Sequence, residues 1–222
     1  MINRIRFLFE IFFNKLIKRI SLRNISPMLF SFLGLVSSFF SAFFYIISLN
    51  GNIYLILAAS FLLLSGFFDA IDGAIARASG KVTLFGAYID SVLDRYVDII
   101  IGASFIIGKL CSFFWGFFYI IGALMVSYTR ARAESIGINL GGIGIAERGE
   151  RIIFLLFLSL IATLNYNFFE YGIIFLSFLC HFTAIQRSIY VFLKTKKKLN
   201  ENLLISFYFR KSGSCKNLYS KP

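Results

Sequence analysis

The chain has 222 residues, 58% of them apolar, with 23 Lys and Arg against 11 Asp and Glu and a formal net charge of +12. That length allows one domain or one helical bundle, and a soluble core has no need of apolar runs of about twenty residues, so membrane spans are expected. The basic balance suits an anionic membrane surface, and nucleic acid is a poor partner because no soluble basic domain exists to hold it.

In chain order, residues 1–20 place Ile2, Ile5, Phe9, Phe12, Phe13, Leu16 and Ile20 at helical spacing, with Arg4, Asn14, Lys15 and Lys18 between them. This pattern predicts an amphipathic helix in the cytoplasmic interface. A clean apolar core and a small-residue cleavage site, the marks of a signal peptide, are missing. Six spans are expected after it, at 27–49, 53–77, 84–107, 112–134, 147–164 and 168–193. Ser26 and Pro27 suit the cap and first position of the first. The shortest span still reaches about 27 Å, near the hydrocarbon thickness. The expected fold is therefore an all-α integral membrane protein. Residues 1–22 form the interfacial helix, 23–195 a six-helix transmembrane domain and 196–222 a basic cytoplasmic tail, whose end, "RKSGSCKNLYSKP", reads as disordered.

Basic residues fall almost entirely on one side of this plan, with Lys109 alone on the other. The positive-inside rule then puts both termini and the basic loops in the cytoplasm, in a multi-pass protein of the cell membrane. Cys111, Cys180 and Cys215 match no zinc spacing and are read as packing residues. His181 is read as a hydrogen-bonded core residue, and Trp115 and Tyr119 as members of an interfacial belt.

Four acids interrupt the apolar pattern. Asp69 and Asp72 are three apart near the cytoplasmic end of the second span, and Asp90 and Asp94 four apart early in the third. Each pair shares a helix face, and a short connection lets the two pairs face each other at similar depth. Four ionised carboxylates that close repel one another and lose hydration, so either most are protonated or cations neutralise them. One or two divalent ions would serve, hard oxygen ligands suiting Mg²⁺, Mn²⁺ or Ca²⁺. The plainer alternative is pairing with Arg77, Lys81 and Arg95. Gly73 and Gly86, with Ala76, are expected to let the two helices approach closely. Asp98 extends the acidic face one turn deeper and is expected to pair with an arginine or to stand behind the site.

The spacing Asp69-x2-Asp72-Gly73-x2-Ala76-Arg77-x8-Gly86-x3-Asp90-x3-Asp94 resembles the signature of the CDP-alcohol phosphatidyltransferase family at every fixed position. That resemblance implies transfer of a phosphatidyl-type group from a CDP-linked lipid to an alcohol, with release of CMP. It implies Mg²⁺ or Mn²⁺ on Asp69, Asp72, Asp90 and Asp94, with Asp94 also the catalytic base on the acceptor hydroxyl. Asp69, Gly73, Ala76 and Arg77 would bind the CDP moiety, and the family also implies a homodimer. The chemistry agrees: attack on a pyrophosphate needs charge neutralised on the phosphates and a base at the attacking oxygen.

A second basic cluster bears on the acceptor. Arg130 and Arg132 close the fourth span, Arg148 and Arg151 open the fifth, and Arg187 stands among apolar residues of the sixth. Loop arginines often serve only the positive-inside rule, but an Arg inside a span usually has a partner or ligand. Choline, ethanolamine or inositol would not call for such a cluster; a phosphorylated polyol would. "RARAES…GIAERGER…AIQR" resembles the branch that uses inositol 1-phosphate, the phosphatidylinositol-phosphate and archaetidylinositol-phosphate synthases. The resemblance puts the acceptor phosphate on Arg130, Arg148 and Arg187, with Glu134, Glu147 and Glu150 orienting the arginines. Glycerol 3-phosphate is the rival acceptor, and the lipid is either CDP-archaeol or CDP-diacylglycerol. A cation-coupled transporter would also explain intramembrane acids, but the sequence has no internal repeat and its acids cluster toward one end.

Overall fold

A computed structural model of the chain describes residues 27–79 and 83–211, with side chains from 28 to 77 and from 83 to 197. The expected amphipathic helix of 1–22 and the residues after 211 lie outside the described residues. Six α-helices are described: α1 (Pro27–Ile46), α2 (Asn52–Ser79), α3 (Leu84–Ile107), α4 (Phe113–Ser135), α5 (Arg148–Ala162) and α6 (Asn167–Lys211). A single 3₁₀ turn, Ser48–Asn50, joins the first two.

Four of these are long and apolar enough to cross a membrane, over Met28–Ile46, Asn52–Arg77, Phe113–Ser135 and Asn167–Lys197. The other two differ for separate reasons. α3 carries Asp90, Asp94, Arg95 and Asp98 inside it. α5 has 15 residues, which reach only about 22 Å. It is shorter than its apolar run because Glu147 serves as its cap. The Glu147 N–H donates to Glu150 Oε2 at 2.9 Å, closing a capping box. At the other end, Thr163 and Leu164 donate to Leu160 and Ile161 and tighten the last turn. α6 goes the other way. Its helix continues through Lys194, Lys196 and Lys197 to Lys211, so Arg210 and Lys211, expected in a disordered tail, are helical.

Small and hydroxylated residues let α1 and α2 meet. Ser41 Oγ donates to the Ala58 carbonyl at 2.7 Å, and Ser65 Oγ to that of Gly34 at 2.8 Å. Where no water competes, such interhelical bonds and small contact residues replace the hydrophobic drive of a soluble bundle. The buried core is aromatic toward the end away from the acids: Tyr45 and Phe169 each pack against Phe105 with ring centroids 5.0 Å apart. Tyr119 is 1% exposed and belongs to this core, not to an interfacial belt, since its ring packs against Phe105. Phe39, Phe43, Phe117, Phe157, Phe175 and Phe182 point outward, as lipid-facing residues do.

Two ends can be distinguished. At one, Asn52 Nδ2 donates to the Thr163 carbonyl at 2.9 Å, Tyr166 Oη to that of Ser48 at 2.9 Å, and the Ser112 N–H to Glu170 Oε1 at 3.0 Å. At the other stand the acids and arginines. The first end needs one close approach. A Cβ on Gly108 would lie 2.5 Å from the Tyr45 carbonyl oxygen and 3.0 Å from Ile46 Cα, backbone atoms of α1 that cannot turn aside. Gly108→Ala is therefore expected to destabilise the detergent-solubilised protein by about 1–3 kcal/mol, read as a lower Tm.

Candidate active site

Asp69 and Asp72 lie on α2, and Asp90 and Asp94 on α3. The start of α3 is fixed by Thr83, whose Oγ1 accepts from the Gly86 N–H at 3.0 Å, a side-chain N-cap. Carboxylate oxygens of Asp69, Asp72 and Asp90 all lie within 4.8 Å of one another. Ser31, Ser65, Asp69, Asp90, Asp94 and Arg148 line one narrow cleft. Asp69, Asp90 and Asp94, from two helices, thus share a single cavity, and Asp72 stands beside it within reach of Asp69 and Asp90. Asp72 is buried and accepts from Ser31 Oγ at 2.5 Å.

The cation among these acids comes from a third helix. Arg148, the first residue of α5, donates from Nη1 to Asp69 Oδ1 at 2.7 Å and also to Asp94 Oδ1. One guanidinium nitrogen therefore ties α5 to both acid-bearing helices. Arg95 is 3.9 Å from Asp94 Oδ2, and its Nη1 donates to the carbonyl of Ser91 in its own helix. Lys81 lies outside the described residues.

One layer deeper the pattern repeats. Asp98 Oδ2 accepts from Arg151 Nη2 at 2.6 Å, and Arg151 Nη1 donates to the Ala146 carbonyl at 3.0 Å. The Arg151 and Asp98 side chains are 1% and 10% exposed, so the expected arginine partner of Asp98 is a buried one. Next to it, Arg187 is buried and fully engaged. Its Nε donates to Ile143 O at 2.7 Å, Nη1 to Val126 O at 2.7 Å and Nη2 to Glu147 Oε1 at 2.9 Å. Arg130 is exposed and pairs with Glu134 at 3.0 Å, though its charge still reaches Arg187. Glu134 and Glu147 thus hold Arg130 and Arg187, whereas Glu150 caps α5.

The loop before α5 is pinned to α6. Thr183 Oγ1 accepts from the N–H groups of Ile145 at 3.3 Å and Ala146 at 3.2 Å. Gly144 has φ +125, and a Cβ there would lie 2.6 Å from Thr183 Cγ2, so both conformation and space require glycine. The signature glycines act differently from expectation. A Cβ on Gly73 would meet only Arg77 Nη1 at 3.3 Å, and one on Gly86 only Thr83 Oγ1 at 2.9 Å. Each neighbour lies within a turn on the same chain segment; among the described residues neither glycine lies against a facing helix. Gly73 instead leaves open space above α2, beside half-buried Ala76 and exposed Arg77.

Ser31, Thr83 and Thr183 carry no catalytic motif. Only Thr83 had a sequence signal, as a capping hydroxyl three residues before Gly86. His181 has the core role expected of it, its Nε2 3.1 Å from the Phe118 carbonyl and its ring stacked on Phe118. Cys111 and Cys180 are free and buried.

A helical membrane bundle with three carboxylates converging at one end defines the class: a membrane-embedded enzyme whose site offers hard oxygen donors. The family model for CDP-alcohol phosphatidyltransferase matches residues 24–185, and the chain belongs to that family of enzymes. An archaetidylinositol phosphate synthase of Methanothermobacter thermautotrophicus is 46% identical over 143 residues, 64% of this chain and 73% of the relative. One from Pyrococcus horikoshii is 44% identical over 132 residues, 60% of this chain and 68% of that protein. A phosphatidylinositol phosphate synthase of Streptomyces avermitilis is 34% identical over 115 residues, covering 48% and 45%. Among solved structures, the Mycobacterium tuberculosis phosphatidylinositol phosphate synthase with CDP-DAG bound shares the fold, with a TM-score of 0.64, 24% identity and coverage of 82% of this chain and 92% of that one. The same enzyme in complex with manganese and citrate has a TM-score of 0.61 at 22% identity, covering 80% and 86%.

The Asp98–Arg151 pair gives a prediction independent of turnover. Removing one partner of a buried ion pair strands the other charge, at a cost of about 3–5 kcal/mol, whereas replacing both with apolar groups is often neutral. Arg151→Met alone should lower the Tm sharply, and adding Asp98→Leu should restore most of it. A double variant no more stable than Arg151→Met would refute this account of the pair.

Proposed function

We propose that this enzyme transfers the phosphatidyl-type group of a CDP-linked lipid to 1L-myo-inositol 1-phosphate, releasing CMP and forming archaetidylinositol phosphate or phosphatidylinositol phosphate. The observation that carries the reading is the convergence of Asp69, Asp72 and Asp90 beside a cleft that Asp69, Asp90, Asp94 and Arg148 line together. The relatives named for inositol phosphate products support it. In this reading α3 and α5 also cross the membrane, giving six spans, with the acidic end and both termini facing the cytoplasm. The charge pattern supports that orientation, since Arg130, Arg148, Arg187 and the lysines after Tyr190 all lie toward the acidic end. Homodimerisation rests on family resemblance alone.

The donor set fits a divalent metal. Three hard carboxylates lie within 4.8 Å of one another, with Asp94 held beside them by Arg148, and oxygen donors of this kind suit Mg²⁺ or Mn²⁺. When bound there, the ion would neutralise charge on the transferring and leaving phosphates. The chain's residues do the rest. Asp69, with Gly73, Ala76 and Arg77, receives the cytidine diphosphate over the open face of α2. Asp94 takes the proton of the acceptor hydroxyl as its oxygen forms a bond to the lipid-bearing phosphorus. The phosphorus–oxygen bond to CMP breaks, and CMP leaves with the electron pair. Arg148 reaches the acceptor phosphate directly, while Arg130 and the buried Arg187 contribute their positive field. The lipid tails remain in the bilayer throughout.

The deciding measurement is CMP release in detergent with CDP-archaeol or CDP-diacylglycerol and each acceptor in turn. Turnover is expected with inositol 1-phosphate; turnover with glycerol 3-phosphate alone would refute this assignment. Asp90→Asn, which removes a metal donor, and Asp94→Asn, which removes the general base, are each expected to reduce kcat by about a hundredfold or more, while the protein still inserts. Near-normal turnover in either would remove that residue from the mechanism.

A further inference from the structure

The two arginines of α5 are held differently. Arg151 is locked: it is 1% exposed, with separate guanidinium nitrogens on Asp98 and on the Ala146 backbone. Arg148 makes both its carboxylate contacts from Nη1 alone, to acids on two different helices. Its side chain is 17% exposed against 1% for Arg151, while the buried Nε of each arginine has no hydrogen-bond partner. A guanidinium that engages a carboxylate through its planar fork makes two parallel bonds. Arg148 forgoes that geometry, with Nη1 alone carrying both contacts on a partly exposed side chain. Its contacts are also not neutral ground, for Asp69 and Asp94 belong to the group proposed to hold metal.

We infer that Arg148 is the resident counter-cation of the carboxylate cluster: in the metal-free enzyme it holds Asp69 and Asp94 together, and a divalent ion entering the cluster displaces it toward the acceptor phosphate. The inference rests on the metal site proposed above. It has a physical basis on both sides. Without a cation, acids from α2 and α3 in one cleft repel each other, and a single positive charge across Asp69 and Asp94 relieves this. A divalent ion on the same oxygens leaves the guanidinium facing a cation, so one must move. Arg148 is the mobile one, as a long side chain at the first position of its helix. Metal loading then frees a phosphate-binding arginine, and by linkage a bound phosphate should favour the loaded state.

The test uses the full chain in detergent without substrates. Mn²⁺ binding is followed by the electron paramagnetic resonance signal of free Mn²⁺. Wild type should bind Mn²⁺, and Asp90→Asn should lose that binding. Arg148→Gln and Arg148→Met, which remove the competing charge, should each bind on the order of tenfold more tightly than wild type, whereas Arg148→Lys should show no tightening. A second measurement needs no variant: Mn²⁺ should increase modification of Arg148 by phenylglyoxal, mapped by mass spectrometry, because the guanidinium is released from its acids. Mn²⁺ affinity unchanged or weakened in the neutral variants, or Mn²⁺ protecting Arg148 from modification, would overturn the inference while leaving the metal site intact. Absence of Mn²⁺ binding by wild type, or unaltered binding by Asp90→Asn, would overturn both.

Discussion

The contact on which this site depends is the guanidinium of Arg148 lying between Asp69 and Asp94. Two helices carry the acids, and left to themselves those acids push the helices apart. A positive charge from a third helix turns the repulsion into a three-way junction. The rest of the acidic end is arranged to deliver that charge. Glu150 caps the helix that bears it, Thr183 pins the loop before it, and Gly144 lets that loop pass against α6. Arg151 and Asp98 repeat the link one layer below. Glu147, immediately before Arg148, fastens the same turn to Arg187. Three residues of one short stretch, making four ion pairs, therefore fix how α5 stands against α2, α3 and α6.

Charges at this depth are costly unless paired, and pairing is found at each buried arginine. Arg151 and Arg187 each combine a carboxylate with one or two backbone carbonyls. Carbonyls of the loop before α5, at Ile143 and Ala146, and that of Val126 within α4 supply acceptors that no apolar neighbour could. The polar interior of the bundle is thus a set of paired groups, each carrying its own carboxylate, rather than isolated ions. That pairing accounts for arginines in spans that would otherwise be hard to insert.

The acidic signature was legible in the sequence because helical spacing and a short connection suffice to bring two acid pairs together. Asp69, Asp72 and Asp90 needed no further information. Arg148 as the partner of Asp69 and Asp94 was not legible, since it lies 79 and 54 positions from them, and nothing local ties it to one phosphate rather than two carboxylates. The long helices were readable from apolar runs alone. The length of α5 was not, because the run continues past the capping box and the final turn that bound the helix. Gly73 and Gly86 were correctly singled out but for another reason. Their neighbours are Arg77 and Thr83, so space over α2 and a cap on α3, not helix approach, account for the absent side chains. Tyr119 looked interfacial from its position near a span end, yet the Phe105 ring that buries it lies on another helix.

The bundle's two rims are fastened by different kinds of bond. Asn52 and Tyr166 close one with hydrogen bonds to backbone carbonyls, and the Ser112 N–H adds one to the Glu170 carboxylate, whereas ion pairs between helices close the other. Bonds between full charges depend on the surrounding ions more than bonds to backbone carbonyls do. The acidic rim is therefore the end of the bundle whose cohesion responds more strongly to the ionic medium.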